Sequence, residues 1–201
     1  MDDFTVLAIG NEALAMLGAQ AVAQVDEGTD IAATLFRVGP TTLAQVLTAH
    51  PWACTLAQPR LTRLADPPGN GFRYAYAMPA GLLGPPRRAL ASPLPGAPSI
   101  GRWRIVGEEL HTDAEEVYAD VQREPPLEAW PPHLRAFARA ALAADLALTV
   151  TGSGNDAQFW TQRAWGSGDQ SLLQQARRVE AQQHTPAAME DWPLLAARFG
   201  G

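Results

Sequence analysis

Two side chains capable of nucleophilic chemistry stand four residues apart in Thr48–Cys54, TAHPWAC: His50 and Cys54. The chain has one cysteine and four histidines. On a continuous helix, side chains at i and i+4 are neighbours. A thiol beside an imidazole, with a third group orienting the ring, would be an activated nucleophile and its base. Half a metal site is the other chemical reading. Pro51 argues against both. It disfavours helical backbone at His50, so a helix arriving from the N-terminal side stops there and the i,i+4 geometry is lost. No acid is spaced to orient His50. The remaining reading is packing, with a small cysteine buried under Trp52, since free cysteine is among the most buried residue types.

The other candidates carry less. Asp145 lies among Leu142, Leu146 and Leu148, and a carboxylate near an apolar stripe needs a partner. Arg37, Arg177 and Arg178 are the candidates, as an ion pair within the fold or between subunits. Glu108-Glu109 and Glu115-Glu116 are adjacent pairs. Neighbours on a strand point to opposite faces, so neither pair builds a two-carboxylate site. Gly69-Asn70-Gly71 lacks the spacing of a dinucleotide loop and reads as a turn. All fifteen basic residues are arginine, so a phosphate-loop lysine is not available. Neither a G-x-S-x-G elbow nor an H-E-x-x-H pair occurs. One cysteine excludes an intramolecular disulfide framework and a multi-cysteine zinc site. The expectation is therefore no catalytic residue, no metal and no cofactor. The rival reading is a small hydrolase using His50 or Asp145.

Composition narrows the partners. Of 201 residues, 47% are hydrophobic, enough for a substantial core. Charged residues are 18%, below the roughly 25% usual in soluble domains, which points to surface covered by partners. The net charge is -6, a poor balance for gripping nucleic-acid backbones. The Met-Asp-Asp start has the wrong charge for a secretory signal. The apolar runs are shorter than the ~18 residues of a membrane span. The expectation is a soluble chain made in the cytoplasm, without membrane contact.

These residues are carried on two helical regions flanking a region rich in proline and glycine. A first helix is expected over about Phe4–Leu17, with Val6, Gly10, Ala13, Leu14 and Leu17 on one face and Gly18 ending it. A second starts at the Thr29-Asp30 cap and carries Ile31, Leu35 and Val38, then Leu43, Val46, Leu47 and His50. Gly39-Pro40 predicts a kink or short break in it. From Trp52 to Glu124 the pattern is strand-like in TLAQPRLTRLA, GFRYAYAMP, GRWRIVGEELHT and EVYADVQ. Between them, Gly81–Ser99 reads as an exposed loop. Its Leu82, Leu83, Leu90 and Leu94 are too apolar for a simple linker. Pro131-Pro132 then starts a helix with Leu134, Phe137, Ala138, Ala141, Leu142 and Leu148 on one face. TGSGND breaks it, and Asn155 or Asp156 can cap the next, striped by Phe159, Trp160, Leu172, Leu173, Ala176 and Val179. Gly166-Ser167-Gly168 can split that last helix in two.

The order of these features resembles a known family. Asn11, Leu14, Leu17 and Gly18 form an N-x-x-L-x-x-L-G helix. An acidic turn follows at Asp26-Glu27, and a second helix closes on the corner His50-Pro51-Trp52. GFRYAYAMPAGLL is similar to an aromatic strand ending in proline, although Ala80-Gly81 stands where an aspartate commonly follows. WRIVGEELHT resembles the next hairpin, and LRAFARAALAADLA and LLQQARRVEAQQ the closing helices. Together, over about residues 5–183, they resemble the head-to-tail connectors of short-tailed bacteriophages, the adaptor or tail tubular protein A-like proteins.

The resemblance implies an α+β fold: an antiparallel bundle of about four helices with a β-rich insertion between the second and third. The parts would be residues 1–52 (helix pair), 53–124 (β-rich insertion), 125–184 (helix pair completing the bundle) and 185–201 (tail). It implies a virion protein of the tail or neck, assembled in the host cytoplasm. The chain would form a ring of twelve copies, bind the portal and the tail nozzle, and let double-stranded DNA pass without specific binding. Another ring component of the tail or baseplate is the neighbouring alternative. Partner contacts are expected at Leu82 and Leu83 in the proline-rich loop and at Trp192, Leu195, Arg198 and Phe199 in the tail. Aromatic residues and arginine are enriched at binding hot spots.

Overall fold

The computed structural model describes residues 1–94 and 96–183. The first helix, α1 (Asp3–Met16), is started by Asp2, whose carboxylate accepts the Thr5 N–H at 2.7 Å. First-turn amides lack helical acceptors, and a short polar side chain supplies one. The helix ends with Gly18 at φ 72°, Gly18 N–H donating to the Ala15 carbonyl and Ala19 N–H to that of Leu14. Glycine takes this left-handed turn without the steric cost of a Cβ. The second helix, α2 (Asp30–Thr48), is capped by Thr29, which accepts from Ala32 N–H.

Gly39-Pro40 does not interrupt α2, which runs continuously through the proline. Packing outweighs the lost hydrogen bond. A Cβ at Gly10 of α1 would lie 2.6 Å from both Leu35 methyls, and one at Gly39 of α2 would lie 2.7 Å from Val6 Cγ1. Each helix thus offers a glycine notch to a branched side chain of the other. Val6 and Leu35 are fully buried, and burial of this kind supplies most helical stability in folded proteins.

The middle of the chain folds as strands β1 (Leu56–Ala57), β2 (Thr62–Arg63), β3 (Tyr74–Ala77), β4 (Arg88–Leu90), β5 (Trp103–Val106), β6 (Glu109–Thr112) and β7 (Tyr118–Gln122). They make two antiparallel sheets, ordered β1-β7-β4 and β2-β3-β6-β5. The β5–β6 hairpin turns at Gly107-Glu108, with Gly107 at φ 60°. Tyr76, Leu110, Val117, Ala119 and Val121 belong to a core cluster of this module's own. The segment expected to be an exposed loop contains β4, whose Ala89 and Leu90 are buried and which pairs with β7. Opposite β7, Leu90 is bridged to Ser99 and the Ala89 carbonyl accepts the Ile100 N–H at 2.7 Å, and the prolines of the segment lie just outside the three-residue strand.

The closing region is α3 (Pro132–Thr151), α4 (Gly154–Trp165) and α5 (Leu172–Gln183). The fold is α+β, but the expected antiparallel four-helix bundle is wrong. Five helices are present among the described residues, and α3 packs against all of the other four. Ala138, Ala140, Ala141, Ala143, Ala144 and Ala147 of α3 are all buried. A helix buried over most of its circumference is a central one, and alanine lets neighbours approach closely. The one-sided stripe read from Leu134, Phe137 and Leu142 understated this. The glycine-rich break makes α4 and α5 separate helices. Gly152, at φ 66°, ends α3, and Ser153 rather than Asn155 or Asp156 caps α4, accepting from Asp156 N–H at 3.3 Å.

Candidate functional site: the joint between the helical and β modules

The C-terminus of α2 has neither a glycine cap nor a basic residue in its last turn. Its final carbonyls must be satisfied from elsewhere, and side chains from the adjoining corner and from two distant segments converge on them. The indole Nε1–H of Trp52 donates to the Val46 carbonyl at 2.9 Å. The Gln122 carboxamide of β7 donates to the carbonyls of Leu47 (3.2 Å) and His50 (3.1 Å), and to Thr55 Oγ1 (3.1 Å). Arg177 of α5 donates to the Ala49 carbonyl at 2.7 Å, placing a cation at the negative end of the helix dipole.

Pro51 follows, and the chain turns into a single 3-10 turn at Ala53–Thr55. Trp52 is fully buried between His50, at 4.9 Å between ring centroids, and His133 and Phe137 of α3. Glu180 of α5, only 2% exposed, accepts Ala53 N–H at 2.5 Å on one oxygen and faces His133 Nε2 at 2.9 Å with the other. A buried carboxylate needs such partners. Cys54 lies beside it. Burial first, and then the Glu180 charge, push its thiol up to about 11. A nucleophilic cysteine needs the opposite shift.

The TAHPWAC stretch is thus a structural corner. The helix ends before Cys54, and the thiol is held protonated. Asp145 is exposed on α3, and its carboxylate accepts the hydroxyl of the buried Thr42 of α2. This partner replaces the expected arginines. Arg177 turns to Ala49, and Arg178 pairs with Asp169. Asp145 lines an open groove of about 520 Å³ with Gln45, Thr48, Ala49, Ala144, Thr161 and Trp165. Among the described residues, no group of three or more His, Cys, Asp or Glu could hold a metal ion. Nor is any helix there long and apolar enough to cross a membrane.

Of the expected partner contacts, Leu82 packs on the β-module core and lines a second groove, while Leu83 packs on the helical core. Trp192, Leu195, Arg198 and Phe199 lie outside the described residues. Gln122, His133, Arg177 and Glu180 were not singled out from sequence as parts of the corner. One signal existed: Leu173, Ala176 and Glu180 follow helical spacing, and they, rather than Val179, are the buried positions of α5. No protein-family model matches the chain, and no curated protein matches its sequence.

Proposed function

We propose that this chain is a subunit of a head-to-tail adaptor ring of a short-tailed bacteriophage. It would join the portal to the tail nozzle and form part of the DNA channel. The observation that carries this reading is the distribution of exposed apolar side chains over both modules. Phe4, Leu148 and Phe159 are exposed on helices, and Leu94 and Val106 on the β module. A subunit in a closed ring meets its neighbours through two different faces, and a chain with 18% charged residues is suited to losing both to contact. The net charge of -6 suits a wall that DNA slides past, because cation–phosphate contacts are what retain DNA.

The residues of the resemblance have defined work in the fold. Asn11 brackets the Val22 backbone, accepting its N–H at 2.8 Å and donating to its carbonyl at 3.0 Å. Glu27 accepts the Ala23 N–H. His50-Pro51-Trp52 makes the corner. The hydrolase alternative is less well supported, given the raised thiol of Cys54 and the threonine partner of Asp145. The test is mass photometry and negative-stain imaging of the purified chain, alone and with the portal protein of the same genome. A twelve-fold ring seated on the portal is expected. A ring that ignores the portal would favour another tail component, and a chain monomeric under both conditions would overturn the ring reading.

A further inference from the structure

Gly69-Asn70-Gly71 lies in the connection between β2 and β3. The chain has three asparagines, and Asn70 alone precedes a glycine. Asn70 and Gly71 are exposed, Gly71 has φ 86°, and a Cβ on it would meet nothing within 4 Å. Without a side chain at Gly71, its backbone nitrogen has an open approach to Asn70 Cγ. The other two asparagines are placed differently. Asn11 is inside α1, with its amide bonded to the Val22 backbone. Asn155 is in the first turn of α4, where the N–H that follows it, that of Asp156, donates to Ser153.

The Asn70 amide also meets a proton carrier. Its Nδ2 lies 2.7 Å from Nδ1 of His111 on β6. His111 is 5% exposed, and its Nε2 lies 2.8 Å from Glu109 Oε2. An amide nitrogen only donates, so Nδ1 accepts and the ring proton is on Nε2, toward Glu109. A carboxylate behind an imidazole stabilises the imidazolium form. Arg104 stands opposite His111 on β5 and Ala75 opposite it on β3. The charged neighbours of the ring within the sheet are therefore Glu109 and Arg104, and the connection meets it with the neutral Asn70.

We propose that Asn70-Gly71 is a self-modification site, at which Asn70 deamidates in the folded protein with His111 as proton donor. The Gly71 amide gives its proton to hydroxide, and its nitrogen bonds to Asn70 Cγ. The Cγ–Nδ2 bond then breaks. The imidazole, protonated from solvent and held by Glu109, gives its Nδ1 proton to the departing nitrogen, which leaves as ammonia. Water opens the cyclic imide at either carbonyl, leaving aspartate or isoaspartate at this position. The net charge falls one below the -6 of the unmodified chain, and an ion pair to His111 replaces the amide contact.

The experiment incubates the full-length protein in heavy-oxygen water, native and unfolded in urea, and follows Asn70 by peptide mass mapping. Positioned proton transfer is worth about 10²–10⁴-fold, so native conversion at Asn70 is expected to be about tenfold or more faster than in urea. Asn11 and Asn155 serve as internal comparators and should stay intact in the native protein. Equal or slower conversion of Asn70 in the native state overturns the proposal. His111→Gln and Glu109→Gln should each remove most of the native advantage, and the second decides the matter if the first does not fold. Unchanged conversion in the folded variants overturns the part given to His111. A pH series separates proton donation from holding. Conversion in urea rises with pH as hydroxide takes the Gly71 proton, whereas the native-to-urea ratio should shrink as His111 loses its proton. A ratio independent of pH makes His111 a tether and overturns its role as donor.

Discussion

Burial, and after it the neighbouring carboxylate of Glu180, determine the reactivity of Cys54. With the thiol raised from 9.0 to about 11, the thiolate fraction near pH 8 falls on the order of a hundredfold. Native protein should therefore react with iodoacetamide far more slowly than unfolded protein at the same pH. Equal rates would mean an accessible, ordinary thiol. The raised value also makes a stability claim. The folded state favours the neutral thiol, so its contribution is fully present below pH 9 and is lost as pH rises from 9 toward 11. Wild type should lose stability relative to Cys54→Ala across that window and not below it, as read by urea denaturation. The sequence reading of Cys54 as packing rests on Pro51, a local signal, and the thiol does pack on the helical core, but it is half-buried rather than buried. A local signal could not reveal Glu180, which lies 126 positions further along (180 − 54) and meets the corner only through the fold.

Elements built on local rules were legible in the sequence. The helix start at Thr29, the stop at Gly18, the β5–β6 hairpin and the strand at Tyr74–Ala77 all follow from caps, turn residues and alternation. Elements decided by distant partners were misread. Pro40 is held in a helix by the α1–α2 glycine notches, β4 exists because β7 pairs with it, and α3 is central because four helices share its alanines. The notches are open to a direct test. Gly39→Ala gains helix propensity of about 1 kcal/mol, but it drives a methyl to 2.7 Å from Val6 Cγ1. Overpacking costs about 1–3 kcal/mol, so net destabilisation is expected. In a Val6→Ala background the same change should cost less or stabilise, and additive denaturation energies would show that the two side chains do not compete for one space.

Two core clusters make the molecule, one in the helices and one between the sheets. They communicate at the corner, where Gln122 reaches from β7 into α2. Gln122→Ala leaves the Leu47 carbonyl and part of the His50 requirement unmet, a loss of about 1–3 kcal/mol. Because each module has its own cluster, the variant's urea unfolding is expected to lose cooperativity and separate when followed by helix and by tyrosine signals. Coincident transitions at an unchanged midpoint would show that Gln122 does not couple them. The corner also has a kinematic consequence. The chain crosses between modules twice, after α2 and after β7, and the crossings are bonded side by side, Arg123 N–H to the Thr55 carbonyl at 2.8 Å. Two strands fastened along one edge form a door hinge. They leave swing about that edge as the easy motion and resist twist, and Pro51, Pro125 and Pro126 stiffen the leaves where they meet the pin.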